Sequence, residues 1–133
     1  YKGSKYINKY IPDGKTAETN ISSDIIDYNS LAFVLRGFPF TNGAKLDLKV
    51  LINSTTLWAK QFTISIKYMG KADITTPAGK FTCHKLEIMP GGLIGLLAPK
   101  SARSYFYYST DETPVLVKYE SKFDNATIEL LEK

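Results

Sequence analysis

The sequence predicts a mainly β domain: a curved antiparallel sheet forming an open or partial barrel, with one short helix. Three observations carry this reading. After Asn42-Gly43, apolar and polar side chains alternate with the period of a half-buried strand. Before it, the stretch from Tyr28 to Arg36 places Tyr28, Leu31 and Leu35 at helical spacing, continued by Phe38. Further on, Thr76-Pro77-Ala78-Gly79 reads as a type I turn, with Pro second and Gly fourth, that feeds a strand.

The elements follow in order. Tyr6 to Ile11 is an aromatic-rich strand that ends in the turn Pro12-Asp13-Gly14. Residues 16–23 are polar and read as a loop. Ser22, Ser23 or Asp24 caps a first helical turn, and Asp27, Asn29 or Ser30 the main helix. Gly37 stops that helix and Pro39 prevents its continuation. Leu46, Leu48, Val50 and Ile52 then share one face of a strand, with Lys45, Asp47 and Lys49 on the other. Asn53-Ser54-Thr55 turns the chain. Phe62, Ile64, Ile66 and Tyr68 form the cleanest alternation, and Gly70-Lys71 reads as a turn into a short strand through Ile74.

After Gly79 the phase changes. Phe81 and Cys83 share one face, while Leu86 and Ile88 fall on the other. This predicts either a bulge between Cys83 and Leu86 or burial on both faces. Arg103 to Tyr108 is an aromatic strand. Pro114 opens another, with Val115, Val117, Tyr119 and Phe123 inward, and Asp124-Asn125 connects it to a last strand carrying Ile128 and Leu130.

Composition narrows the classes. The chain has 133 residues, one domain by length and enough to bury a core without metals or disulfides. Its net charge is +4, but Arg36 and Arg103 are its only arginines, too sparse for a dedicated duplex binder. Cys83 is the single cysteine, so no intrachain disulfide forms. No apolar run approaches the roughly 18 residues of a membrane-spanning helix. The chain begins at Tyr1 rather than Met, so a targeting segment is expected in what precedes it.

These residues resemble a bacterial family known as domain of unknown function 3108. Tyr28 through Arg36 match its Tyr-Asp-x-x-Ser-Ala-x-Tyr-x-Leu-Arg-like helix. Thr76 through Lys85 match its Thr-Pro-Ala-Gly-x-Phe-x-Cys-x-Lys-like turn and strand. Asp111 to Val115, with Ile128-Glu129-Leu130, match its closing strand pair. The resemblance covers about residues 24–132, the family's C-terminal portion. It departs at Asn29, where the family tends to have Pro, and in the apolar loop from Gly91 to Pro99. It implies export to the periplasm or outer membrane of Gram-negative bacteria, and a longer domain with strands ahead of Tyr1. No catalytic residue is carried over.

Packing competes with chemistry at each candidate site. Cys83-His84 pairs a thiol with an imidazole, but neighbours on a regular strand face opposite ways, and buried Cys is usually inert. His84 is the only histidine, which excludes a multi-histidine metal site. Asp111-Glu112 fits a turn better than two carboxylates set roughly 5–10 Å apart across a cleft. Gly91-Gly92-Leu93-Ile94-Gly95 lacks the Gly-Lys-Ser/Thr ending of a phosphate loop. Its apolar side chains Leu93, Ile94, Leu96 and Leu97 either plug the core or meet an apolar ligand or membrane, and they are the candidate ligand-binding residues. The Arg103–Tyr108 strand resembles an RNA-stacking strand but lacks the second half-motif, so two-sided burial explains it better. Three Asn-x-Ser/Thr matches, at Asn20, Asn53 and Asn125, are discounted on the bacterial reading.

The expected function is a non-enzymatic exported module that binds an apolar ligand, a lipid or another envelope protein. The alternative is a structural or assembly domain without a small ligand. No cofactor, metal or nucleic acid is expected. Self-association is expected through an edge strand, Tyr6–Ile11 most of all, because strands ahead of it are missing. Arg36, Tyr28, Pro77 and Gly79 are expected to be structural, with Arg36 paired to an acidic side chain or to helix carbonyls.

Overall fold

The computed structural model describes residues 5–9, 16–20, 26–27, 30–53, 59–91, 103–122 and 126–131. Its elements are β1 (Lys5–Lys9), β2 (Thr16–Asn20), β3 (Ile26–Asp27), α1 (Leu31–Val34), a 3-10 turn (Leu35–Gly37), β4 (Lys45–Asn53), β5 (Ala59–Thr76), β6 (Gly79–Pro90), β7 (Ser104–Ser109), β8 (Leu116–Ser121) and β9 (Thr127–Glu129). β3 to β9 form one sheet in chain order, and β1 and β2 form a separate two-stranded sheet among the described residues. β4 to β9 are antiparallel throughout. β3 and β9 lie at the two edges, so among the described residues the sheet is open and not closed into a barrel.

Two elements differ from the sequence reading at the N-terminal end. Residues 16–20, read as loop, are a strand whose register runs from Lys5 opposite Asn20 to Lys9 opposite Thr16. A segment this polar shows no apolar alternation; backbone pairing across the hairpin makes it a strand. β3 is parallel to β4, with Ile26 opposite Val50. A parallel pair needs a crossover connection, and α1 lies in it.

The helix buries Leu31, Leu35 and Phe38 against the sheet, the face its spacing predicted. It is short: one α turn, then a 3-10 turn. Ser30 occupies the N-cap position without a side-chain capping bond. Leu31, Leu35 and Phe38 join Val50, Ile64, Ile66, Tyr68, Leu86, Ile88, Phe106 and Tyr108 in the main core. At roughly 25 cal/mol per Å² of apolar surface, this cluster is the fold's main stabilising term.

β5 is a single long strand rather than a strand, turn and second strand. Tyr68 lies opposite Leu86 and Lys71 opposite His84, so Met69 and Gly70 together face Lys85. This is a bulge. Gly70 takes φ +90° there, a conformation that side chains disfavour. β6 itself stays in unbroken register with β7 from Cys83–Ser109 to Ile88–Ser104. The phase change is therefore met by burial on both faces. Leu86 and Ile88 enter the main core; Cys83 enters a second cluster with Tyr107 and Val117, backed by Ala72, Ile74, Phe81 and Tyr105.

β8 is corrected in the same way. Tyr107 faces Lys118 but Tyr108 faces Leu116, so the register shifts by one residue. Leu116 and Tyr119 pack on the main core, Val117 packs on the opposite face, and Val115 is exposed. The single inward face predicted for Val115, Val117 and Tyr119 is thus split. The connection predicted at Asp124-Asn125, and Phe123, lie outside the described residues.

Candidate functional site

Two long-range hydrogen bonds fix the helix on the sheet. The Tyr108 hydroxyl donates to the Ala32 carbonyl at 2.6 Å. Arg36 Nε donates to the Pro114 carbonyl at 2.7 Å. Arg36 therefore pairs with a carbonyl 78 residues away, not with an acid or a helix carbonyl as expected. Burial pushes the Tyr108 hydroxyl pKa well above its ordinary value, with the Arg36 charge opposing. It stays a neutral donor at physiological pH.

Between these bonds lies a cleft of about 240 Å³ lined by Ala32, Phe33, Arg36, Val115 and Leu116. Of these described lining residues four are apolar and one is a cation. Phe33 is 73% exposed and Val115 is 37% exposed. Isolated apolar side chains on a surface are ordinary. Here they belong to two separate elements that form the walls of one concavity, the usual form of a ligand site.

A second depression, of about 430 Å³, is lined by Asp73, Ile74, Thr75, Lys80, Phe81 and Thr82. These are three cross-strand pairs of the β5–β6 hairpin, and Thr82 Oγ1 donates to Asp73 Oδ1 at 3.0 Å. Among the described residues both walls come from one ladder, so it forms a weaker site than the cleft beside α1.

The structure separates Cys83 from His84. Cys83 is fully buried in the second cluster, and burial, then the Asp73 charge, pushes its thiol to about 11. His84 faces the main core. Its Nδ1 lies 2.9 Å from the Tyr68 hydroxyl, and its ring stacks on Phe40 at 4.4 Å. Burial lowers the His84 pKa, and the Lys71 charge adds to this. The pair is thus packed as its sequence position predicts, on two faces of one strand.

The Arg103–Tyr108 strand is buried from both sides. Phe106 and Tyr108 face the main core. On the other face, Glu87 accepts from Arg103 at 3.4 Å and from the Tyr105 hydroxyl at 3.2 Å. Tyr107 donates to Glu120 at 3.3 Å, and the Lys85 ammonium sits 4.5 Å from the Tyr105 ring centroid. Burial and Glu120 push the Tyr107 hydroxyl up to about 12. The acidic dipeptide Asp111-Glu112 is exposed between β7 and β8. Among the described residues no group of three His, Cys, Asp or Glu side chains could hold a metal. No described helix is long and apolar enough to cross a membrane.

Pro77 lies in the two-residue connection between β5 and β6, where the Ala78 amide donates to Thr76 Oγ1 at 3.1 Å and Gly79 takes φ +126°. Tyr28 and the loop residues Leu93, Ile94, Leu96 and Leu97 lie outside the described residues. Sequence reasoning missed the cleft. One signal was present: Phe33 falls off the Leu31–Leu35–Phe38 face, leaving a large apolar side chain on the helix's solvent side.

The family model described as "protein of unknown function (DUF3108)" matches residues 1–131. The chain belongs to this family. The match takes in the β1–β2 hairpin, which the motif comparison over residues 24–132 left out. No curated protein and no solved structure matches the chain.

Proposed function

We propose that this domain is a non-enzymatic binding module that takes an apolar ligand in the cleft between α1 and the start of β8. The observation that carries the reading is the concave apolar wall made by Ala32, Phe33, Val115 and Leu116, with Phe33 held largely in solvent. Keeping a phenyl ring in water forgoes burial of apolar surface that elsewhere contributes about 1.5–3 kcal/mol per side chain. A ligand that covers it recovers that term. Export to the periplasm or outer membrane belongs to the same reading and rests on the family resemblance.

Native mass spectrometry of protein purified without detergent tests it. A bound apolar molecule is expected on the wild type and is expected to be lost from Phe33→Ser. Bare protein, together with no uptake of an apolar dye by either form, would favour the alternative, a structural or assembly domain. That alternative draws on Ile128 and Leu131, 62% and 70% exposed, in and just after the edge strand β9.

A further inference from the structure

We infer that the cleft beside α1 selects a single-chain anionic amphiphile, with its alkyl chain on Phe33, Val115 and Leu116 and its carboxylate or phosphate head on Arg36. This rests on the binding reading above and names the ligand class.

Three features support the choice. The cleft is mixed in one specific way: among the described residues its one charged lining side chain is a guanidinium, and none of its lining side chains is acidic. An anion there meets a cation without a competing carboxylate among the described lining residues. Second, Arg36 is anchored. Its Nε–H is spent on the Pro114 carbonyl at 2.7 Å, which fixes the plane of the fork. A guanidinium carries five N–H donors in a rigid array, suited to bidentate contact with a carboxylate or phosphate. A preorganised fork loses less freedom on binding than a mobile lysine. Third, the volume is small. About 240 Å³ is below the roughly 300–1,000 Å³ of a drug-sized site. That volume suits one alkyl chain, or the end of one, better than a two-chain lipid.

Sequence and fold explain why these features meet. Phe33 and Arg36 are three residues apart, neighbours on a helical surface. The Arg36–Pro114 bond sets the cation beside the start of β8, and Val115 and Leu116 follow directly. One hydrogen bond thus aligns the polar end of the site with its apolar wall.

The test is calorimetry on the full chain with dodecanoate, dodecyl phosphate, dodecanol and dodecyltrimethylammonium, each below its micelle concentration, and with phosphatidylglycerol vesicles. Dodecanoate and dodecyl phosphate are expected to bind about tenfold tighter than dodecanol, the scale of a charge-assisted hydrogen bond, with the cation weakest. Arg36→Gln is expected to lower anion binding to the dodecanol level and leave dodecanol unchanged, while Arg36→Lys retains part of the preference. The wild-type series decides the matter even if Arg36→Gln fails to fold. Equal affinity for dodecanol and dodecanoate, lost in Phe33→Ser, would overturn the anion selectivity and leave the apolar site standing. No binding of any amphiphile would overturn both. Binding to the vesicles but not to monomeric dodecanoate would overturn the single-chain ligand in favour of a membrane surface.

Discussion

The Tyr108 hydroxyl reaches across the core to the Ala32 carbonyl at 2.6 Å, joining the C-terminal end of β7 to α1. Tyr108 is fully buried, so this bond is made where water is scarce. Tyr108→Phe keeps the ring and removes the donor, leaving the carbonyl short of a partner. The expected loss is about 1–3 kcal/mol in chemical denaturation. Tyr108→Ala, which also empties the site of the ring, is expected to cost about 3–5 kcal/mol. A Phe variant as stable as wild type would mean that the helix is not held through this bond.

Gly70 and Gly37 make opposite expectations. An added Cβ meets nothing within 4 Å at either position, so backbone conformation alone decides. At Gly70 φ is +90°, and Gly70→Ala is expected to destabilise by about 1–2 kcal/mol. Gly37 has no positive φ and closes the 3-10 turn, so Gly37→Ala is expected to be neutral or to stabilise by up to about 1 kcal/mol. Thermal melts of the two variants check the difference. If both behaved alike, the bulge would not require glycine.

His84 gives a pH dependence with a defined sign. Burial, with Lys71, lowers its folded pKa below the unfolded value of about 6.5. Below that value the unfolded chain takes up a proton that the folded chain resists, so unfolding binds protons and stability falls. Above it both states are neutral and the effect vanishes. Stability is therefore expected to decline as pH drops from about 6.5 toward the folded pKa, and His84→Gln is expected to flatten that window. Urea midpoints between pH 7 and 5 report it. An unchanged slope in His84→Gln would assign the decline to other groups.

Cys83 is expected to be inert while the protein is folded. It is fully buried, and its thiol is raised to about 11, so almost no thiolate exists at neutral pH. Alkylation by iodoacetamide should track global unfolding in urea. Rapid labelling in native buffer would show that the second cluster opens locally.

Much of the fold was legible because its signals are local. Leu31, Leu35 and Phe38 mark the helix's buried face by spacing alone, and the phase break between Cys83 and Leu86 announces either a bulge or a strand buried on both sides, of which the structure has the second. What was misread depends on partners elsewhere in the chain. Gly70-Lys71 carries a turn's composition, yet continuous pairing with β6 absorbs Gly70 as a bulge. Thr16–Asn20 has no strand periodicity and is a strand because β1 pairs with it. The cleft was least legible. It joins residues 32–36 to 115–116 through a hydrogen bond between positions 78 apart, and no local motif records such a meeting.

A titration of the isotope-labelled protein with monomeric dodecanoate, followed by amide chemical shifts, tests the cleft as a ligand site without intermediaries. Saturable shifts are expected at Ala32, Phe33, Arg36, Val115 and Leu116, on both walls together, and are expected to be absent in Phe33→Ser. Shifts that gather on the β5–β6 hairpin or the second cluster instead, or no shifts at saturating dodecanoate, would contradict a ligand site between α1 and β8.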